Sequence, residues 1–190
     1  MLMRARASAF IATSLDGFIA RPDGSIDWLD DVQTLIPEGE DCGYLEFMAS
    51  IDGMVMGRHS FERVLAFEEW PYGQLPVYVM SHAPVSVPLE LATSVHSWQG
   101  APGALSERLG SKGFRHLYVD GGQTIQEFLK AGLLDQITIT VVPVLLGSGR
   151  PLFGTLPHDV ELTLMRSRAY DFGFVQSTYR IDATGLIGPA

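Results

Sequence analysis

The sequence predicts an α/β domain in which a mostly parallel sheet carries helices on both faces and ends in an antiparallel C-terminal edge. Short apolar runs alternate with segments of helical periodicity over the first two thirds of the chain, as in parallel sheets. Two strand patterns then follow each other, at residues 161–167 and 174–181, with no helix pattern between them. A chain of 190 residues suits a single core, so we expect one domain over residues 1–190.

Most of the expected strands are short apolar segments that end at turn residues. Beyond the C-terminal pair, they lie at residues 5–13, 54–56, 76–80, 94–98, 116–119 and 136–142. The expected helices cover residues 44–51 and 104–109, and two more begin at Ser60 and Thr124. The last of these rests on a capping box, Thr124-Ile125-Gln126-Glu127. The acidic stretch that follows Trp28-Leu29 as far as Gly39 predicts a loop.

Composition excludes several classes of protein. The net charge is −9, and no cluster of Lys and Arg is present to neutralise a phosphate backbone, so we expect no nucleic-acid partner. The single cysteine, Cys42, excludes an intrachain disulfide and a cysteine-based zinc site. The five histidines show no i, i+4 pair, so no metal site is indicated. No uncharged apolar run approaches the ~20 residues that span a bilayer, so we expect no membrane association and a cytoplasmic location.

Three segments place glycine or small polar residues directly after an expected strand. They are residues 56–60 (MGRHS), 80–82 (MSH) and 119–124 (VDGGQT). In open α/β sheets, ligands bind beyond the carboxyl ends of the strands, where helix N-termini offer free N–H groups to phosphate. Glycine lets the backbone approach a ligand closely, and Arg58 adds a forked cation that suits phosphate. Each segment alone is weak evidence, but their order and spacing together favour a phosphate-containing ligand.

Six segments, in order along nearly the whole chain, carry a family resemblance. They are SLDGFIA at residues 14–20, DW at 27–28, DGMVMGRHSFE at 52–62, VYVMS at 77–81, LYVDGGQTIQEFL at 117–129 and GLLDQITITVVPVLLGSGRPLF at 132–153. Through them the chain resembles the dihydrofolate-reductase-like superfamily, and within it the group built on the reductase domain of bacterial riboflavin biosynthesis, the RibD C-terminal domain group. No zinc-deaminase signature accompanies them, so the chain looks like a reductase domain alone.

This resemblance implies a sheet of about eight strands, a reductase activity and NADPH as the hydride donor. By motif match, the cofactor's phosphates would contact Gly57, Arg58, His59 and Ser60. Ser81 and His82 would lie near the adenosine ribose and its 2′-phosphate. The pyrophosphate and nicotinamide side would be wrapped by Gly121, Gly122, Gln123 and Thr124, with a cis peptide between the two glycines. His82 replaces an Arg or Ser that is common in relatives, so the preference between NADPH and NADH stays open.

Two aspartates are candidates on the substrate side. Asp16 matches an aspartate that faces the substrate's ribose in the riboflavin reductases, where it would bind a hydroxyl group or deliver a proton. The alternative is that Asp16 only stabilises the Asp-Gly turn. Asp41 falls where folate reductases keep the carboxylate that holds the pterin, and the alternative is a simple N-cap of the helix at residues 44–51.

Two further residues complete the expected substrate site. Trp28 would shield the nicotinamide or stack on a flat substrate, and it suits a core position equally well. Arg150, in the segment Gly147-Ser148-Gly149-Arg150, would bind a substrate phosphate or lie as an ordinary surface arginine. The resemblance also implies a homodimer, for which the apolar run at residues 141–146 is an interface candidate.

The expected reaction is hydride transfer from NADPH to a C=N or C=O carbon of a small heterocyclic or sugar-linked substrate. The named candidate is 5-amino-6-(5-phosphoribosylamino)uracil, as in riboflavin biosynthesis. A dihydrofolate- or pterin-type reductase that uses Asp41 is the alternative within the same class. The alternative from another class is a non-catalytic NADP(H)-binding module that acts as a sensor or scaffold.

Overall fold

The computed structural model describes residues 4–182, which contain ten strands and five α-helices. The strands are β1 (Arg6–Ser14), β2 (Phe18–Ala20), β3 (Gly53–Gly57), β4 (Val77–Met80), β5 (Val95–Trp98), β6 (His116–Asp120), β7 (Gln136–Val142), β8 (Arg150–Pro151), β9 (Leu162–Ala169) and β10 (Val175–Ile181). The helices are α1 (Asp27–Gln33), α2 (Tyr44–Ala49), α3 (Arg58–Val64), α4 (Pro102–Ser111) and α5 (Gly122–Lys130), with a 3-10 helix at Leu89–Leu91.

Eight of the strands form one sheet in the order β5-β4-β3-β6-β1-β7-β10-β9, and β2 pairs with β8 separately. Strand β6 is parallel to β1 and β3, and β4 is parallel to β3 and β5. Strand β10 is antiparallel to both β7 and β9. The predicted mostly parallel sheet with an antiparallel C-terminal edge is therefore confirmed.

The described residues divide into two compact units. The first comprises residues 4–9 and Ser50–Leu134, and the second comprises Phe10–Ala49 and residues 135–182. In the first unit the inner parallel strands β3, β4 and β6 are buried on both faces, so their sequences read as mainly apolar runs. The fully buried side chains there include Met54, Val55 and Met56 of β3, Leu105 and Leu109 of α4, and Ile125 and Phe128 of α5.

The second unit has its own apolar core, which includes a helix that the sequence did not predict. This core contains Trp28, Cys42, Val142, Tyr170 and Phe174, and the partly buried Val144 and Leu146 pack against it. Helix α1 lies where a loop was expected. The prediction was wrong because the acidic residues and the Pro and Gly that follow outweighed the helical spacing of Trp28, Leu29 and Val32. These three side chains pack in this core and stabilise the helix through tertiary contacts.

Two predicted helix starts are also wrong. Helix α3 begins at Arg58, two residues before Ser60, and α5 begins at Gly122, two residues before Thr124. Thr124 is buried inside α5 and is not its cap, because the backbone already turns at Gly121. No helix within residues 4–182 is long and apolar enough to cross a membrane.

Candidate functional site

The three glycine-containing or polar segments meet at one edge of the sheet in the first unit. Gly57 at the end of β3 is in register with Met80 at the end of β4. On the other side of β3, Met56 is in register with Asp120 at the end of β6. Because these strands are parallel, their carboxyl ends lie side by side, which is where α/β sheets bind ligands.

Two glycines let the loops after β3 and β6 pack closely against each other. A Cβ atom at Gly57 would lie 2.9 Å from Thr124 Oγ1, and a Cβ atom at Gly121 would collide with Ser60 Oγ. Gly121 also has φ of +88°, a conformation that side-chain-bearing residues rarely adopt. The prediction of a cis peptide between Gly121 and Gly122 is wrong. No peptide bond in residues 4–182 is cis, and the positive φ of Gly121 makes the turn.

Helix α5 directs its N-terminus toward this edge of the sheet. Gly121 occupies the N-cap position, and no side chain caps the helix. The first-turn N–H groups of a nine-residue helix therefore have no capping side chain, and they carry the positive end of the helix dipole. Within this turn Gly122 is buried and Gln123 is exposed, so the turn presents both backbone and a polar side chain.

Arg58 begins α3 and forms an ion pair with Glu62 one turn later. The Arg58 Nε to Glu62 Oε1 distance is 2.6 Å, and both side chains are about half exposed. The hydrogen bond from Arg58 lowers the pKa of Glu62. His59 is exposed, and its Nδ1 lies 3.8 Å from Glu62 Oε2. To hold a phosphate, the guanidinium of Arg58 would therefore have to bind it together with the Glu62 carboxylate or break its ion pair with Glu62.

Ser81 and His82 follow β4 and contact the end of β5. The Ser81 amide donates to the Trp98 carbonyl at 3.0 Å, and the Ser81 hydroxyl accepts from the amide of Ala83 at 3.2 Å. His82 is exposed, and its carbonyl accepts from Gln99 Nε2 at 3.4 Å. These bonds hold Ser81 at the same edge of the sheet as Gly57. Ser81 lies there next to Trp98, the last residue of β5.

Sequence reasoning did not single out Asp120, the residue at the end of β6. Its Oδ1 accepts a hydrogen bond from the Tyr118 hydroxyl at 3.2 Å. Burial raises the pKa of Asp120, although hydrogen bonds from Tyr118, the Gly121 amide and Ser60 act in the opposite direction. A carboxyl group with a raised pKa at a ligand-binding edge is a candidate functional group. The signal in the sequence was an acidic residue between an apolar strand and a Gly-Gly pair.

In the second unit, Asp16 joins two distant loops. Its Oδ1 accepts from the Ser14 hydroxyl at 2.6 Å and from the Leu146 amide at 3.1 Å, and its Oδ2 accepts from the Gly147 amide at 2.7 Å. The Ser14 bond, followed by the two amide bonds, lowers the pKa of Asp16 in spite of some desolvation. This arrangement favours an ionised carboxylate that positions the loop at residues 146–147 over a carboxyl group that delivers a proton.

Asp41 acts as a cap for the helix α2. Its Oδ1 accepts from the Gly43 amide at 2.8 Å, and its Oδ2 accepts from the Leu45 amide at 2.7 Å. The bonds from Leu45 and Gly43 lower the pKa of Asp41. Of the two alternatives for Asp41, the structure therefore favours helix capping, because a proton-linked role on a pterin needs a carboxyl group that protonates readily.

Trp28 and Arg150 lie in different surroundings. The Trp28 side chain is only 2% exposed and belongs to the core of the second unit, so of its two alternatives the structure favours the core position. Arg150 lies at the surface on β8, where its guanidinium covers Gly24 and its Nε donates to the Pro22 carbonyl at 3.4 Å. Arg150 thus keeps an exposed position that an anionic group can approach.

The sheet order and the glycine-lined strand ends define a dihydrofolate-reductase-like α/β protein. The family described as RibD C-terminal domain matches residues 8–176, and the chain belongs to this family. The protein YwjB of Bacillus subtilis is 36% identical over 171 residues, which cover 88% of this chain and 94% of YwjB. Two solved structures that share this fold at 15% identity are reductases of riboflavin biosynthesis.

Solved structures agree with this assignment. A Shewanella sp. PV-4 protein assigned to riboflavin biosynthesis superposes with a TM-score of 0.87 at 40% identity, covering 95% of this chain and 99% of that one. The Thermotoga maritima diaminohydroxyphosphoribosylaminopyrimidine deaminase/5-amino-6-(5-phosphoribosylamino)uracil reductase superposes with a TM-score of 0.69 at 15% identity, covering 94% of this chain and 57% of that one. The second likeness shows the fold alone.

Proposed function

We propose that this protein is an NADPH-dependent reductase that transfers hydride to a C=N or C=O carbon of a small heterocyclic or sugar-linked substrate. The observation that carries the proposal is the pair of close contacts, Gly57 with Thr124 and Gly121 with Ser60, at the edge where β3, β4 and β6 end. Membership of a family that includes riboflavin-biosynthesis reductases supports it. The compound 5-amino-6-(5-phosphoribosylamino)uracil is the first substrate to test.

The residues at this edge suit a dinucleotide with a pyrophosphate. The glycines let the loops after β3 and β6 pack against each other, so that their backbone amides lie side by side at this edge. The N-terminus of α5 supplies N–H donors and a positive dipole end. In the proposed complex these donors, among them the Thr124 amide, and the Ser60 hydroxyl hold the pyrophosphate. Arg58 supplies a cation to the phosphates, and Ser81 with His82 binds the adenosine end.

The bound cofactor would supply the hydride, and the protein would bind the cofactor and the substrate and orient them. The first unit binds and orients the cofactor through the residues named above. In the second unit we assign Asp16 the role of a positioning residue, because its carboxylate fixes the loop at residues 146–147. We assign Arg150, which is exposed on β8, to an anionic group of the substrate.

Nucleotide binding is the first test. Isothermal titration calorimetry with NADPH and NADH would compare the wild type with Arg58→Ala, and we expect the substitution to weaken NADPH binding about tenfold. Lys130→Ala is a matched control, because Lys130 is an exposed cation at the opposite end of α5. Glu62→Gln should instead tighten NADPH binding a few-fold, since it releases Arg58 from its ion pair.

Turnover is the second test. Oxidation of NADPH in the presence of 5-amino-6-(5-phosphoribosylamino)uracil, followed at 340 nm, would support the proposed substrate. NADPH binding without oxidation by this compound, by pterins or by aldehydes would instead point to a sensor or scaffold. Failure to bind either nucleotide would contradict the reductase proposal as a whole, because the three strand ends would then be ordinary turns.

A further inference from the structure

The net negative charge of the chain lies entirely in one of its two units. The second unit, at residues 10–49 and 135–182, carries fourteen Asp and Glu residues against five arginines, which gives −9. The first unit, at residues 4–9 and 50–134, carries eight Asp and Glu residues against eight Lys and Arg residues, which gives zero. The strand ends of the proposed cofactor site therefore belong to a neutral unit, whereas Asp16 and Arg150 belong to a strongly anionic one.

The charge of Arg21, which follows β2, is compensated by carboxylates of the protein itself. Its Nε donates to Asp27 Oδ1 at 2.6 Å. This hydrogen bond and the negative charge of Asp27 raise the pKa of Arg21, and the charges of Asp31 and Asp23 act in the same direction. Three carboxylates thus surround one guanidinium, so Arg21 has no surplus positive charge to offer a ligand.

The carboxylates nearest to Arg150 are ionised at neutral pH. A hydrogen bond from the Ser14 hydroxyl lowers the pKa of Asp16, and one from the Ser25 amide lowers the pKa of Asp23. Both aspartates are exposed, and Asp23 lies in the turn that the Arg150 guanidinium covers. Arg150 is also the one cationic residue of the β2–β8 pair. Its surroundings therefore offer a single positive charge next to two negative ones.

The loop after β7 has backbone amides that would suit an anion, but the protein occupies them itself. Asp16 Oδ1 accepts from the Leu146 amide at 3.1 Å, and Asp16 Oδ2 accepts from the Gly147 amide at 2.7 Å. A phosphate group of a ligand needs several such donors or cations together. At this loop it would have to displace an ionised carboxylate that is part of the chain.

We propose that the preferred substrate of this reductase carries no phosphate group, and that it is a neutral heterocycle or one with a single carboxylate for Arg150. The inference rests on the proposed function and narrows its substrate class. A unit with a charge of −9 repels a phosphate dianion and admits a neutral molecule. The cofactor escapes this repulsion, because its phosphates would meet the neutral first unit, with Arg58 and the N-terminus of α5.

Two compounds that differ only by a phosphate test the proposal. They are 5-amino-6-(5-phosphoribosylamino)uracil and the same compound after removal of its phosphate, assayed by NADPH oxidation at saturating NADPH. At low salt we expect kcat/KM to be about tenfold higher or more for the compound without phosphate. Raising NaCl from about 10 to about 300 mM should increase kcat/KM several-fold for the phosphorylated compound alone, since salt screens the repulsion. A preference for the phosphorylated compound at low salt would overturn the proposal.

A pair of double variants locates the effect in the second unit. Asp23→Asn/Asp31→Asn removes two negative charges beside Arg21, and it should raise kcat/KM for the phosphorylated compound several-fold at low salt. The compound without phosphate should react as with the wild type, which also shows that the variant is folded. Glu68→Gln/Glu69→Gln makes the same charge change at exposed positions of the first unit and should alter neither reaction. Equal effects of the two double variants would contradict the proposal.

A measurement without substrate separates this proposal from the proposed function. Cationic and anionic nitroxides in solution broaden amide NMR signals according to the local potential. The cationic probe should broaden the signals of the exposed Gly17 and Gly147 several-fold more than the anionic probe, whereas the exposed Gly113 of the first unit should show no such excess. Equal broadening at Gly17 and Gly147 would overturn the charge argument even if NADPH is oxidised. If the excess is present and neither compound is reduced, the charge argument holds and the proposed pair of substrates is wrong.

Discussion

The carboxylate of Asp16 accepts a hydrogen bond from the amide of Gly147 at 2.7 Å, across 131 positions of sequence. The adjacent Leu146 amide donates to the other carboxylate oxygen at 3.1 Å. Two backbone amides on one carboxylate make a fixed connection between the turn after β1 and the loop after β7. This connection depends on the negative charge of Asp16, because only the ionised carboxylate offers both oxygens as acceptors.

Asp16→Ala should lower the melting temperature by several degrees and weaken substrate binding more than cofactor binding. The reason is that the Leu146 and Gly147 amides lose their acceptor, so the loop is no longer held. Asp16→Asn keeps one acceptor oxygen and should have a smaller effect. Differential scanning calorimetry and the ratio of KM values for substrate and NADPH measure the two effects. If both variants instead lost kcat to the same extent and kept the KM values of the wild type, Asp16 would deliver a proton.

The pH dependence of stability should also change in Asp16→Asn. Since the folded protein lowers the pKa of Asp16 below 3.8, its stabilising effect is present above that pH and is lost as the pH falls through the folded value. The variant should therefore lose less stability than the wild type below about pH 4. Urea unfolding at several acid pH values measures this, with Asp171→Asn, in an exposed turn of the same unit, as the control.

Asp120→Asn should raise stability at neutral pH. Because burial raises the pKa of Asp120 above 3.8, this group favours the folded state most at low pH, and that contribution is lost as the pH rises through the folded value. Asparagine cannot ionise, so the variant should exceed the wild type at pH 7 and match it near pH 3. Removal of a carboxylate next to the α5 N-terminus should also tighten NADPH binding.

The stability of Asp41→Asn relative to the wild type should change with pH in the opposite direction, since the pKa of Asp41 is lowered.

Gly121→Ala should damage the proposed cofactor site through both backbone and contact. The positive φ of +88° costs about 1 kcal/mol for alanine, and the new Cβ collides with Ser60 Oγ. Gly113→Ala is the matched control, because Gly113 has φ of +94° and open space at the Cβ position. We expect the two variants to differ in unfolding free energy, and only Gly121→Ala to lose NADPH affinity. Adding Ser60→Ala to Gly121→Ala should recover part of the lost stability.

Trp28→Ala should destabilise the protein by about 3–5 kcal/mol, the usual range for deleting a buried tryptophan. Its side chain is 2% exposed, and its Nε1 has no hydrogen-bond partner within residues 4–182. Trp28→Phe should therefore cost much less, since the indole N–H contributes no bond. Guanidinium unfolding measures both. Because Trp28 lies in the core of the second unit, NADPH affinity of Trp28→Phe should match the wild type.

The strands were predictable where burial alone determines the pattern. Strand β7 was predicted with the bounds that the structure has, Gln136–Val142, because its β-branched residues have no competing helical period. The helix α1 was missed, since its seven residues depend on the packing of Trp28 for stability. The β2–β8 pair was also missed because Phe18 and Pro151 are far apart in sequence, and no local signal reveals such a pairing.

The candidate site was predictable as a set of segments but not as a set of roles. Gly57 and Gly121 stood out because a glycine directly after a strand often marks a close approach of the backbone to a ligand or another loop. Asp16 binds the backbone amides of Leu146 and Gly147, a contact between distant loops that no sequence pattern marks. Helix capping by Asp41, in contrast, was one of the two alternatives that the sequence offered. Asp120 was missed because its perturbed pKa comes from burial, a property of the folded chain.

The two halves of the second unit have consequences for folding during synthesis. Phe10–Ala49 is synthesised before its partners in that unit, which begin only at residue 135, after the whole of Ser50–Leu134 has been made. At about 5–20 residues per second, roughly 85 intervening residues take about 4–17 s. Throughout that interval Trp28 lacks its core partners Val142, Tyr170 and Phe174, which have not yet been synthesised. Until those partners are made, the apolar side chains of Phe10–Ala49 lack their native core, the kind of transient exposure that favours aggregation during folding.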